Sequence, residues 1–317
     1  MTDHALRFKT ELKGLEASEW YEALEELVEE HGSFTPLGRD HVATFLDAGP
    51  KLLVTFEHAE EVQELNDAAP RGFAFTQREG WSHLAIISRG DSWFRDPAVY
   101  RYIDRLIDDG FFEDFEDVLF FGAQAGGYAA AAYSVAAPGA RVLALRPQAT
   151  LDPTTAGWDN RFIAQRRLNF TDRYGYAPDM VDASKQTYIV FNPQQRFDAM
   201  HAALFTKPNV TMLRVMGLNG RLDVMFDTLG GLDDMIRAAM AGELTPQRFI
   251  QALAARKTFA PYLRNLVRRA RDSGHARLAA VVCRTVLDDG HDAFFIRQLQ
   301  DMGEPLPEAY QKDAVRA

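Results

Sequence analysis

The stretch that most constrains the fold of this chain is Val118 to Ser134, VLFFGAQAGGYAAAAYS. Its apolar run has no polar alternation, which is the pattern of a β-strand covered on both faces. A turn of small residues follows, and then an alanine-rich segment with high helix propensity. The next apolar run, ARVLALRPQ, completes a strand–helix–strand unit. Two strands joined by a crossover helix must run parallel.

Other segments extend the alternation. KLLVTFEHA (51–59) and the two halves of RGFAFTQREGWSHLAIISRG (71–90), divided at Gly80, read as strands. PAVYRYIDRLIDDG reads as a crossover helix opened by Pro97 and closed by Gly110. TYIVFNP leads into the helix QQRFDAMHAALF, and NVTMLRVMG leads through LNGRLDV into MFDTLGGLDDMIRAAM. The expected fold is α/β, a doubly wound and mostly parallel sheet. Strand signals stop near residue 243, and Pro246, Pro261, Gly274 and Gly290 punctuate a helical C-terminal extension. The chain divides into an N-terminal helical segment (1–34), an α/β domain (35–242) and a helical tail (243–317). In the first, ASEWYEALEELVEEH reads as a helix with Ser18 as N-cap.

Composition narrows the function. A formal charge of −10 repels a phosphate backbone, so nucleic acid is not an expected partner. Cys283 is the only cysteine; it permits neither a disulfide nor a multi-thiolate metal site, and its run AAVVCRTVL suggests a buried thiol. No signal-peptide core or membrane-spanning run is found, so a cytoplasmic location is expected and no membrane partner. No cofactor or metal is expected either.

The turn itself, Gly122-Ala123-Gln124-Ala125-Gly126 followed by Gly127 and Tyr128, resembles the nucleophile elbow of the α/β-hydrolase superfamily, Gly-x-Ser-x-Gly, with glutamine where the serine belongs. A carboxamide nitrogen is conjugated with its carbonyl and is not nucleophilic near neutral pH. The resemblance puts the triad acid after the seventh strand and the histidine after the eighth. Those positions correspond to Asp198 and Arg221, and no histidine lies between His201 and His275. Arginine stays protonated and cannot act as a base. An Asp198–Arg221 salt bridge is one expectation for the altered pair; Asp198 as a helix-dipole carboxylate is the plainer one.

The resemblance therefore implies a degenerate hydrolase, a pseudoenzyme that binds a small molecule or protein partner in the former active-site crevice, an anionic ligand being one candidate. The amides of Ala125 and Gly126 would face that crevice, and the loop carrying Glu57 and His58 would supply its other donors. Two alternatives are an active hydrolase or transferase with a non-standard site at Gln124, Asp198 and Arg221, and a scaffold whose tail mediates assembly, including homo-oligomers. Three further clusters are weighed, the first two as structural and the third as a surface for the protein's own acidic groups or a partner's. Ser82 and His83 are strand neighbours facing opposite sides. Arg161, Arg166, Arg167 and Arg173 are balanced by Asp159 and Asp172. Arg256 to Arg271 form a basic strip on the tail.

Overall fold

The computed structural model describes residues 11–218, 220–290 and 292–311. Eight strands, β1 (Gly32–Leu37), β2 (His41–Leu46), β3 (Lys51–His58), β4 (Ser82–Ser88), β5 (Asp117–Ala123), β6 (Arg141–Leu145), β7 (Gln186–Phe191) and β8 (Val210–Arg214), form one sheet. Their spatial order is β1-β2-β4-β3-β5-β6-β7-β8. The β1–β2 and β2–β4 pairs are antiparallel and the rest are parallel. The helices, in chain order, are α1 (Ala17–Glu29), α2 (Ala59–Glu64), α3 (Gly72–Glu79), α4 (Pro97–Asp108), α5 (Ala125–Tyr133), α6 (Pro153–Ala156), α7 (Ala177–Met180) and α8 (Arg196–Leu204). They continue with α9 (Leu222–Thr228), α10 (Leu232–Met240), α11 (Pro246–Ala252), α12 (Ala260–Asp272), α13 (Ala276–Asp289), α14 (Ala293–Asp301) and α15 (Glu308–Gln311).

Strand alternation splits the core across the two faces of the sheet. Leu52, Val54, Phe56, Val118, Phe120, Val142 and Ala144 pack on one face with α4 and α5. Leu53, Leu119, Phe121, Leu143, Leu145 and Val190 pack on the other with α9, α10 and α11. Every residue of α5 is buried, which explains its alanines: a helix wedged against three strands has room only for small side chains. The fold is thus an α/β-hydrolase-like, mostly parallel sheet with a C-terminal helical extension. In that extension Val267, Ala279, Cys283, Leu287, Phe295 and Leu299 make a separate small core. Burial pushes the Cys283 thiol up to about 11, so it stays protonated. Two arginines of the basic strip pair with the tail's own acids, Arg264 with Asp292 at 2.8 Å and Arg271 with Asp301 at 3.6 Å.

The structure corrects two local expectations and adds one element. Residues 72–79 are helical rather than extended. Because β3 and β4 are parallel neighbours, the chain between them has to cross over, and α2 and α3 make that crossing. Gly80, at φ 67°, ends α3 as its left-handed cap. The hairpin of β1 and β2 was not legible, since Pro36 and the polar residues around Gly38 break its alternation. Ser18 does not cap α1; Glu16 does, in a reciprocal capping box with Glu19.

Candidate functional site

β5 ends in a backbone turn that only a few sequences tolerate. Gln124 has φ 53° and ψ −117°, the conformation of the first central residue of a type II′ turn and one that favours glycine. Its amide donates to the Leu145 carbonyl at 2.8 Å, and its carbonyl accepts from the Tyr128 amide at 2.9 Å. The flanking glycines are required by contact. A β-carbon on Gly122 would stand 2.1 Å from the Gly126 carbonyl oxygen, and one on Gly126 would stand 2.2 Å from that of Phe56. Strand and helix therefore approach as closely as an elbow requires, and Gln124 projects from its apex. Tyr128 anchors the helix below, donating to the Tyr174 carbonyl at 2.7 Å.

Above the apex is a cleft of about 390 Å³ lined by His58, Glu60, Glu61, Gly90, Asp91, Trp93, Gln124, Ala125, Phe162 and Gln165. Of the residues expected there, Gln124, Ala125 and His58 line it. Gly126 is buried against Phe56. Glu57 is turned away: its carboxylate accepts from Thr55 Oγ1 at 2.5 Å and from the Arg71 amide at 3.1 Å, so it fixes the start of α3. Burial raises its proton affinity, against the pull of Thr55 and Arg71. His58 and Gln124 have no side-chain hydrogen-bond partner among the described residues, so their polar atoms are free for a ligand.

The expected Asp198–Arg221 pair does not form. Asp198, in the first turn of α8 and 1% exposed, accepts from Arg146 Nε at 2.9 Å and from Arg161 Nη1 at 2.5 Å. Arg146 also reaches across to the Gly220 carbonyl. It is itself held at φ 51° at the end of β6, between Asp198 and the loop that follows β8. Arg221 points the other way, to Asp223 at 2.9 Å and to Glu61 and Glu64, each at 3.4 Å. Neither Asp198 nor Arg221 lines the cleft: two guanidinium groups enclose the Asp198 carboxylate, and Arg221 is drawn to its own acids.

Arg161 links this ion cluster to a second buried acid. It binds Asp159 through Nη2 at 2.7 Å, and Asp159 also receives His201 Nε2 at 3.1 Å. The Ala149 amide donates to His201 Nδ1 at 3.1 Å, which leaves the ring's proton on Nε2. Burial alone would raise the Asp159 carboxyl, but the hydrogen bonds from His201 and Arg161 reverse the effect and hold it well below the usual carboxylate range. Glu61 behaves oppositely. Its burial raises it, opposed by Arg221 and His58.

A serine and an imidazole do meet near the cleft: His41 Nε2 lies 2.6 Å from Ser92 Oγ. Ser92 Oγ is already the hub of a structural knot, 2.6 Å from Ser88 Oγ and accepting from the Phe94 amide at 3.2 Å. That knot pins Trp93 and Phe94, both at positive φ, and His41 Nδ1 has no acid behind it. Ser82 and His83 go separate ways, Ser82 to the Gly49 carbonyl at 2.8 Å and His83 to Thr55 Oγ1 at 2.9 Å.

Sequence reasoning missed Arg146, Glu61, Asp91 and Trp93. Arg146 alone carried a signal, as a charged residue directly after a fully apolar strand.

No family model matches the chain, and no curated protein does. Solved structures overlap it in part. A chain of the glycosylation-associated Gap123 complex from Streptococcus agalactiae aligns at 13% identity and TM-score 0.46 over 68% of this chain. This chain spans about half of that protein's length, 47%. The esterase Est1E from Butyrivibrio proteoclasticus aligns at 14% identity and TM-score 0.41, covering 65% of this chain and 98% of its own. An esterase from Pyrococcus furiosus aligns at 14% identity and TM-score 0.40, covering 65% and 91%. The hydrolase-like arrangement itself is carried by the strand order and the turn at Gln124.

Proposed function

We propose that this protein binds a small molecule in the cleft above Gln124 and carries out no serine-hydrolase chemistry there. The observation that carries the reading is Gln124 itself. It sits in the strained backbone of an elbow, lines the cleft and presents a carboxamide where a nucleophile would stand. The triad's other positions support it. The acid's place is sealed between Arg146 and Arg161, and the base's place is an arginine held by Glu61, Glu64 and Asp223. His58 is the one imidazole lining the cleft among the described residues, and it comes from the β3 side rather than the β8 loop. Gln124 stands at the N-cap of α5, yet its side chain makes no capping hydrogen bond, and the strained backbone leaves the carboxamide lining a polar cleft.

A thermal-shift screen of small polar metabolites tests the reading. A ligand selective for the native state raises the midpoint in proportion to the logarithm of its saturation. The shift is expected to vanish in Gln124→Ala and His58→Ala while the unliganded proteins melt normally. A shift that survives both variants would place the binding elsewhere.

A further inference from the structure

Resting on the binding site just proposed, we infer that its ligand is an uncharged, hydroxyl-rich molecule, a saccharide by chemistry, and that phosphorylated or carboxylated compounds are rejected. The lining gives the sign of the field. Glu60, Glu61 and Asp91 face the cleft, and no lysine or arginine lines it among the described residues. The first amides of α5 contribute a partial positive charge of about half a unit, which the carboxylates of Glu60 and Asp91 outweigh. An anion entering here would lose its hydration and meet carboxylates, while the guanidinium groups next to the lining, Arg161 and Arg221, are already committed to Asp159, Asp198 and Glu61.

A cation would have to compete with existing partners for most of its contacts. The aromatic face of Phe162 is already occupied by the Arg161 guanidinium, 5.2 Å from the ring centroid. Glu61 is paired with Arg221 at 3.4 Å, and Asp91 already accepts from Gln165 Nε2 at 3.2 Å. What remains unused is the Gln124 carboxamide, the His58 imidazole and the Glu60 carboxylate, none with a hydrogen-bond partner among the described residues. The carboxamide and the imidazole both donate and accept, and the carboxylate accepts. Hydroxyls do both, so one polyol satisfies all three without bringing a charge. A volume of about 390 Å³ lies at the small end of ligand pockets, enough for one or two sugar rings beside Phe162.

The test is calorimetric titration of the full-length protein with a panel of neutral mono- and disaccharides including maltose, with glucosamine and with glucose 6-phosphate. Expected is binding of at least one neutral sugar at least tenfold more tightly than the phosphate or the amine, lost in Gln124→Ala. In the double variant Glu60→Gln/Asp91→Asn the discrimination against glucose 6-phosphate should narrow several-fold. Preference for the phosphate, or tenfold preference for glucosamine, overturns the saccharide inference but leaves a binding cleft at Gln124 standing. Failure of every probe to bind overturns the inference, and if the metabolite screen is also silent the binding reading falls with it.

Discussion

Arg161 Nη1 donates to Asp198 Oδ1 at 2.5 Å, tying the excursion between β6 and β7 to the first turn of α8 at the position where the hydrolase resemblance places a catalytic acid. With Arg146 on its other oxygen, Asp198 is a buried carboxylate with a guanidinium group on each oxygen. Taking it away leaves Arg146 without a carboxylate partner, while Arg161 keeps only Asp159.

Asp198→Ala should therefore destabilise the protein by about 3–5 kcal/mol, the range for breaking a buried ion pair on one side. Arg221→Ala leaves the buried Asp223 carboxylate without this arginine but frees the more exposed Glu61 and Glu64, and should cost less, about 1–3 kcal/mol. Urea unfolding of both variants and the double should give additivity within about 0.5 kcal/mol, whereas Asp198→Ala and Arg161→Ala should be strongly sub-additive. Coupling between Asp198 and Arg221 as large as that with Arg161 would contradict the geometry.

Gln124→Gly should stabilise the fold. A non-glycine residue in such a conformation carries about 1–3 kcal/mol of strain, and the extra freedom glycine gains when unfolded offsets about 0.5–1 kcal/mol of it. The net expectation is a gain of about 1 kcal/mol in denaturant unfolding, together with loss of ligand binding. A loss of stability would mean that the carboxamide makes contacts the cleft does not show.

His83 makes stability depend on acid. It is fully buried, and burial pushes its pKa down from the ordinary 6.5 to about 3. Because the folded state disfavours the proton, this contribution is complete above about pH 6.5 and is lost as the pH falls toward the folded value. The loss approaches about 1.4 kcal/mol per pH unit within that window. His83→Gln should be the less stable protein at pH 7, by about 1–3 kcal/mol for the hydrogen bond to Thr55. The gap should close on acidification to pH 4, as followed by unfolding at each pH, and a constant gap would show that His83 does not titrate in this window.

How much of this was legible follows from whether the signal was local. The elbow was, because Gly122, Gly126 and Gly127 stand within six residues and the apolar runs on either side are uninterrupted. The helical tail was, because prolines and glycines punctuate it. The crossover at 72–79 was not: GFAFTQRE carries a two-residue apolar alternation, and only its place between two parallel strands makes it helical. Asp198 was found, but its partners were not. Arg161 and Arg146 lie 37 and 52 residues away, and nothing in the local pattern of an arginine says which carboxylate it will meet. The cleft likewise gathers residues from β3, α2, the loop after β4, the elbow and the segment after β6, so its acidic character emerges only when the chain is folded.

The central claim is that the elbow kept its backbone and lost its nucleophile. Intact-mass analysis after incubation with a fluorophosphonate probe tests it most directly, since such probes form a covalent adduct on an activated serine. The account predicts an unmodified protein, including at Ser92, whose hydroxyl is committed to the loop at Trp93 and Phe94. A stoichiometric adduct on any serine, abolished by His41→Ala or His58→Ala, would contradict it.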